Sequence, residues 1–253
     1  MRVGLVISVL LCGIFAALPA RAAEDPLPAE ILAVSEAWEG YTNADGSGLG
    51  WELLRKIFQP AGVRVRTEAM PYTRAIGLVQ RGKADVWLGS YQDEVSGVIY
   101  PRWHYDTDQV FALGLAASPQ PDAASIGRFR LFWMRGYDYQ DHLANVSIYS
   151  EIQRREVVLE MLQNRRADFY IDAVEEIDGV LAKAADQSAF RVTRLTSLPL
   201  YMGFAPNARG RAFAALFDQR MSELVNSGQL RAIFAGWNKP YPFDAAEGQP
   251  ALH

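Results

Sequence analysis

Two arginines and two aromatic residues lie where this sequence could bind a small ligand. Arg74 begins a predicted helix, where a positive charge opposes the helix dipole and so calls for another partner. Arg135 follows a predicted strand and precedes Gly136, which lets a bound group come close to the backbone. Each arginine could hold a ligand or form a structural ion pair. Trp38 and Tyr41 lie in a loop after a predicted strand, which favours stacking on a ligand.

Patterns typical of catalysis or of metal binding are absent from the sequence. His104, His142 and His253 are isolated from one another, without the spacing of a metal site. There is no glycine-rich phosphate loop and no nucleophile motif. The sequence therefore predicts a protein that is not an enzyme and that needs no metal and no cofactor.

A pattern of twelve residues occurs twice in the chain. Residues 79–90 read V-Q-R-G-K-A-D-V-W-L-G-S and residues 162–173 read L-Q-N-R-R-A-D-F-Y-I-D-A, so that Asp85 aligns with Asp168. Each copy reads as a helix end, a basic turn and a buried strand. Two distant copies indicate two similar lobes with the ligand between them, although two ordinary helix-to-strand units could also match by chance. Both aspartates are expected to cap the turns, away from a cleft.

Residues 1–22 have the pattern of a signal peptide. Arg2 precedes an apolar stretch, and Ala20-Arg21-Ala22 is a small-x-small cleavage site. The apolar stretch is shorter than the roughly 20 residues of a membrane-spanning helix. Because the single cysteine, Cys12, lies inside this segment, the mature chain would have no disulfide. These features predict a protein exported to the periplasm, with cleavage near Ala22.

The charge balance excludes some partners. The chain has 25 basic and 29 acidic residues, and loss of Arg2 and Arg21 with the signal peptide changes the net charge from −4 to −6. An acidic protein without a basic run is not expected to bind nucleic acid or anionic membranes.

We expect a monomer.

Hydrophobic periodicity predicts alternating strands and helices, which is typical of an α/β fold. Two apolar stretches, Val110–Leu115 and residues 201–205, are expected to cross between lobes, and the tail beyond Pro240 is expected to be loose. The predicted strands cover residues 31–34, 63–69, 86–88, 130–134, 146–149, 169–172 and 191–200, and the predicted helices cover residues 50–58, 74–82, 152–163, 175–185, 209–226 and 229–237.

Together these elements resemble the periplasmic solute-binding proteins of family 3, which serve polar amino acid ABC transporters. The resemblance rests on the signal peptide, the aromatic loop before a Gly-rich turn, the G-K-A-D and R-A-D-F-Y-I-D units, the two crossovers, and G-Q-L-R-A-I-F-A-G-W near the end. It implies a two-lobed type II periplasmic binding protein fold with two hinge crossovers. The implied lobes are residues 23–110 with 205–253, and residues 111–204.

The resemblance also implies a set of ligand-binding residues, with one departure. Family members that bind α-amino acids carry an arginine shortly after the first repeated strand, and here Val95 lies at that position. A bidentate guanidinium is hard to replace at a carboxylate, so a standard amino acid ligand is in doubt. From the residues and the resemblance together, the predicted ligand-binding residues are Trp38, Tyr41, Arg74, Ser90, Tyr91, Arg135, Tyr137, Asp138 and Asp172.

The function that follows is capture of a small polar solute, amino acid-like or another polar metabolite, and its delivery to an inner-membrane ABC permease. Two alternatives share the fold. One is a sensing partner of a membrane receptor. The other is a periplasmic dehydratase similar to cyclohexadienyl dehydratase, in which Glu36, Glu39 and Asp172 would do acid–base work.

Overall fold

A computed structural model describes residues 27–244. The predicted signal peptide with Cys12, and the last nine residues with His253, lie outside the described part. Within it, no helix is long and apolar enough to cross a membrane.

Strands and helices alternate through most of the chain, as the sequence predicts. The strands are β1 (Glu30–Ser35), β2 (Arg64–Ala69), β3 (Val86–Ser90), β4 (Asp106–Leu115), β5 (Leu131–Met134), β6 (Tyr149–Ile152), β7 (Phe169–Ala173) and β8 (Phe190–Phe204). The helices are α1 (Leu49–Phe58), α2 (Tyr72–Gln80), α3 (Val158–Gln163), α4 (Val174–Leu181), α5 (Ala208–Asn226) and α6 (Arg231–Gly236).

The sheet consists of two lobes that share strand β8. Its strand order is β2-β1-β3-β8-β4-β7-β5-β6. The first lobe contains β1, β2 and β3 with the end of β8, and α1, α2, α5 and α6 pack on it. The second lobe contains β5, β6 and β7 with β4 and the start of β8, and α3 and α4 pack on it. This is the expected α/β fold with two lobes and two connecting strands.

The connection between the lobes consists of the segments of β4 and β8 that pair only with each other. Asp106–Gln109 pair with residues 197–200, whereas Val110–Gly114 also pair with β7 and residues 201–204 pair with β3. Both predicted crossovers are extended, as expected, but the residues between the lobes come slightly earlier in each strand. The lobe boundaries at residues 110 and 205 stay a prediction.

The repeated unit has the same structural role in each lobe. In the first copy Asp85 Oδ2 accepts a hydrogen bond from Leu32 N at 2.7 Å, and Arg209 binds the same carboxylate. In the second copy Asp168 Oδ2 accepts from Arg130 N at 2.8 Å, and the Arg130 guanidinium binds Asp168. The aspartates therefore join neighbouring parallel strands, and the prediction that they only cap turns is wrong.

Several elements near the second lobe differ from prediction. The resemblance also implies a helix start at Tyr137 and Asp138. A single turn of 3-10 helix, Tyr139–Asp141, lies there instead, and Asp138 before it has a left-handed φ of 48°. Strand β6 and helix α3 begin later than predicted, at Tyr149 and Val158. The short polar segments there have weak periodicity, which limits boundary prediction.

The segment after Pro240 packs on the protein as far as Asp244. Phe243 is 7% exposed and lies 5.0 Å from the His104 ring, centroid to centroid. Arg231 forms an ion pair with Asp244. The expectation of a loose tail is therefore wrong for residues 241–244.

Candidate functional site

A cavity lies between the two lobes, with about 650 Å³ of empty space measured to its open mouth. Its lining is aromatic and acidic, and no arginine or lysine belongs to it. The lining residues are Trp38, Glu39, Tyr41, Tyr72, Gly89, Tyr91, Glu94, Tyr105, Asp108, Tyr137, Tyr139, Asp172, Ala173, Glu175, Glu176 and Leu200.

The ends of strands from both lobes supply this lining. In the first lobe, the loop after β1 carries Trp38 and Tyr41, and the end of β3 carries Gly89. In the second lobe, Tyr137 follows β5 and Asp172 lies near the end of β7. Parallel strands place such residues at one edge of each sheet, where α/β proteins bind ligands.

Aromatic residues contact one another across the cavity. Trp38 Nε1 donates a hydrogen bond of 3.0 Å to the hydroxyl of Tyr137, from the first lobe to the second. Tyr72 packs edge-on against Tyr137, with ring centroids 5.6 Å apart. The hydroxyls of Tyr91 and Tyr139 lie 3.3 Å apart. These contacts hold the lobes together around the cavity.

Gly89 is required for the position of Trp38. Its φ is +89°, a conformation that residues with a side chain rarely adopt, and a Cβ there would lie 2.3 Å from Trp38 Cη2. The indole therefore lies directly on the β3 backbone. Sequence reasoning places Gly89 at a strand end without showing this contact.

Arg155 is the centre of a charged network behind the cavity wall. Its Nε lies 3.0 Å from Asp172 Oδ2 and 3.1 Å from Glu176 Oε2. Nη1 lies 3.4 Å from Glu36 Oε1, across the cleft, and Nη2 donates to the hydroxyl of Tyr137 at 2.8 Å. Because all three nitrogens already have partners, Arg155 is not positioned to bind a ligand carboxylate.

Burial and the charges of this network shift the pKa values of its members. Burial alone would lower the pKa of Arg155, but the charge of Asp172, together with those of Glu176 and other neighbouring groups, outweighs it and the pKa is raised. Burial raises the pKa of Glu176 to about 7 although Arg155 opposes the rise. Burial likewise raises the pKa of Glu36. One guanidinium thus faces three acidic side chains.

Glu94 is held by neutral donors. Tyr72 donates from its hydroxyl to Oε1 at 2.9 Å, while Oε2 accepts from Ser90 Oγ at 3.0 Å and from the backbone N–H of Tyr91 at 2.9 Å. No arginine or lysine in the described part pairs with this carboxyl group. Burial therefore raises its pKa to about 7, although these hydrogen bonds oppose the rise.

Asp108 lies in the β4 segment that connects the lobes, and its environment is similar to that of Glu94. Its Oδ2 accepts a hydrogen bond of 3.0 Å from the hydroxyl of Tyr91. Burial is the main cause that raises its pKa to about 7, and the charge of Asp172 adds to the rise. A half-buried carboxyl group without a basic partner is a candidate contact for a ligand.

The structure brings together five of the nine predicted ligand-binding residues. Ser90 lies just behind the lining, bonded to Glu94, and Asp138 accepts from the Gln140 side chain outside it. The five residues that line the cavity are Trp38, Tyr41, Tyr91, Tyr137 and Asp172.

The two arginines that the sequence analysis predicts as ligand-binding residues do not line this cavity. Arg74 is exposed, because the buried face of α2 contains Tyr72, Ala75 and Val79 instead. Arg135 is exposed at a wider outer part of the cleft, which Glu36 also lines. The sequence placed each arginine at the correct end of an element, but it did not give the direction of the side chain.

Sequence reasoning missed Arg155, Tyr72, Glu94 and Asp108. Arg155 lies in a polar segment that was assigned to a helix, and its partners are distant along the chain. Glu94 is adjacent to Val95, which lies where the resemblance implies an arginine. The available signal was the run of tyrosines and acids at strand ends.

Within residues 27–244, no group of three or more His, Cys, Asp or Glu side chains is arranged to hold a metal ion. The neighbouring acids are instead engaged by Arg155 and by tyrosine hydroxyls.

No family model matches the sequence, and no curated protein matches it. Solved structures do match. A histidine kinase sensor domain with similarity to periplasmic binding proteins superimposes with a TM-score of 0.66 at 15% identity, covering 82% of this chain and 95% of that one. An ancestral arginine-binding protein bound to glutamine gives 0.66 at 14% identity, covering 83% and 98%. EhuB in complex with hydroxyectoine gives 0.64 at 20% identity, covering 84% and 89%. The chain has the two-lobed fold of the periplasmic binding proteins.

Proposed function

We propose that this chain is a periplasmic solute-binding protein that captures a small polar solute between its lobes and delivers it to an inner-membrane ABC permease. The observation that carries the proposal is the cavity, which residues of both lobes line. A ligand in it contacts both lobes, so binding favours the closed arrangement. The ABC transporter substrate-binding proteins among the structural neighbours support this role, and we propose that the chain acts as a monomer.

Closure and binding use the same residues. Trp38 and Tyr137 bond across the cavity that they line, and Arg155 reaches Glu36 on the opposite lobe. These few contacts let the lobes separate to admit a solute. The permease would then distinguish the closed, loaded protein from the open one.

Ligand screening tests this function directly. The mature protein is purified, native mass spectrometry identifies any retained solute, and thermal shift with calorimetry follows a library of amino acids, amines, organic acids and sugars. We expect at least one polar solute to bind with a stoichiometry near one. No shift with any polar metabolite would contradict the proposal.

A sensing role is the second candidate, because a histidine kinase sensor domain has the same fold. In that case the loaded protein would engage a membrane receptor instead of a permease. Cross-linking to membranes of the source cell, with and without ligand, distinguishes them: a permease subunit supports delivery, and a kinase or chemoreceptor supports sensing.

The acid–base enzyme is the remaining alternative, and carboxyl groups with pKa values near 7 are what it would need. A dicarboxylate substrate would, however, lie against an acidic lining without arginine or lysine. We expect prephenate and arogenate to remain unchanged after long incubation with the protein, as followed by chromatography. Turnover of either would replace the binding proposal.

A further inference from the structure

We propose that the ligand is an organic cation without a carboxylate group: an amine, a guanidine or a quaternary ammonium compound. This inference rests on the proposed solute-binding function and names the substrate class of the same cavity. It follows from how charges, donors and rings are arranged in the lining.

The lining contains more acidic side chains than the protein pairs with basic ones. Six acids belong to it. Of these, Asp172 and Glu176 pair with Arg155, and Glu175 pairs with Lys239. Glu39, Glu94 and Asp108 have no basic partner within residues 27–244. A cation in the cavity would supply the missing positive charge.

The protein's own carboxylate occupies the donors that an anionic ligand would need. Glu94 Oε2 accepts from the backbone N–H of Tyr91 and from Ser90 Oγ, at the end of β3. A ligand carboxylate placed there would lose these donors and would face Glu94 itself. Val95, next in the chain, offers no charge in exchange. The end of β3 therefore disfavours a ligand carboxylate in two ways: its donors are already used by Glu94, and it has no arginine.

The aromatic residues complete a site for a cation. Seven of the sixteen lining residues are tyrosine or tryptophan, and the faces of such rings attract cations. The protein already shows this contact at the rim, where Lys239 Nζ lies 6.0 Å from the centre of the Tyr41 ring. The buried hydroxyl of Tyr41 has no hydrogen-bond partner within the described residues.

Matched pairs of compounds that differ by one carboxylate test the inference. Calorimetry compares cadaverine with lysine, agmatine with arginine, histamine with histidine, and choline with glycine betaine. We expect the member without the carboxylate to bind at least tenfold more tightly in at least one pair. Tighter binding of the carboxylate member in every pair that binds would overturn the inference and leave the solute-binding function standing.

The wider library separates this inference from the proposed function. Binding of a neutral or anionic solute, with no cation bound, would overturn only the ligand class. No binding by any solute would overturn both.

Substitutions show whether the unpaired acids are responsible. Glu94→Gln and Asp108→Asn keep the size of each side chain and remove its charge. Each substitution should lower the affinity for the most tightly bound cation about tenfold. Glu156→Gln, at an exposed acid outside the lining, is the control and should leave affinity unchanged. Equal affinities in all three variants would contradict the role of these acids, provided that circular dichroism shows folded proteins.

Discussion

At the scale of single residues, Arg155 stabilises more than its own lobe. Its side chain is 16% exposed and neutralises Asp172, which is 1% exposed, together with Glu36 and Glu176. Removing one partner of a buried ion pair leaves the other charge without compensation. We expect Arg155→Ala to lower the free energy of unfolding by roughly 3 kcal/mol, as measured by urea denaturation.

Arg154→Ala is the matched control for that experiment. Arg154 is exposed and forms no ion pair or side-chain hydrogen bond within residues 27–244. Its replacement should change stability by no more than about 0.5 kcal/mol. Similar losses in the two variants would show that the ion-pair network does not account for the effect of Arg155→Ala.

The acids with raised pKa values predict how stability depends on pH. The pKa of Glu94 is raised by burial from 4.5 to about 7 in the folded protein. Between those two values the folded state binds more protons than the unfolded state, so stability falls as pH rises. We expect the ligand-free protein to lose about 1 to 2 kcal/mol of stability from pH 5 to pH 8 through this group, as measured by urea denaturation across pH.

Glu94→Gln cannot titrate and should flatten this dependence. Asp108 and Glu176, whose pKa values burial also raises to about 7, should preserve part of the slope. The exposed Glu156→Gln serves as control and should retain the parent profile. A Glu94→Gln profile as steep as that of the parent would assign the effect to the other two acids.

The sequence predicts some of these residues and not others for a physical reason. Trp38 and Tyr41 are predictable because a loop after a buried strand exposes large rings at the sheet edge. Arg155 is not, because its partner Glu36 lies 119 residues away. Glu94 acquires its properties from Tyr72 and Ser90, and sequence does not show which polar groups folding will bring together.

At the scale of elements, the two copies of the repeated unit make different contacts and so do not contribute equally to stability. Asp85 joins β1 to Arg209 of helix α5, 124 residues away, whereas Asp168 binds the backbone and the side chain of one residue, Arg130. The first contact holds a distant helix, and the second is local. The order of strands and helices was predictable because each element has its own periodicity, but these ties between elements were not.

We expect Asp85→Ala to cost about 2 kcal/mol of stability and Asp168→Ala about 1 kcal/mol. The side chain of Asp85 is 11% exposed and that of Asp168 is 31% exposed, so loss of Asp85 leaves a more buried backbone donor unsatisfied. Urea denaturation of both variants gives the comparison. A larger loss for Asp168→Ala would show that the two lobes depend on this unit in the opposite order.

The end of β3 offers a test that separates the site from the fold. Gly89 and Gly97 have similar positive φ values, +89° and +72°, but only a Cβ on Gly89 would clash, with Trp38. Both alanine variants should lose about 1 kcal/mol from backbone strain. Only Gly89→Ala should also weaken ligand affinity, by about tenfold or more, as measured by calorimetry. Equal affinities would show that Trp38 can move without loss of binding.

At the scale of the whole molecule, contacts between the two lobes meet at Tyr137. The hydroxyl of Tyr137 accepts from Trp38 Nε1 and from Arg155 Nη2, so it joins the aromatic and the charged contacts of the cleft. A hydrogen bond contributes about 1 kcal/mol net, enough to shift a two-state equilibrium several-fold. Small changes at this hydroxyl should therefore alter the shape of the molecule.

We expect Tyr137→Phe to shift the ligand-free protein toward the open form and to weaken ligand binding five- to tenfold, because closing it then leaves the Trp38 N–H without its acceptor. Small-angle scattering should show a larger radius of gyration without ligand and recovery at saturation. Tyr149→Phe, at an exposed ring on the second lobe, should change neither quantity. If Tyr137→Phe bound more weakly with an unchanged radius, its hydroxyl would act on the ligand directly and not through closure.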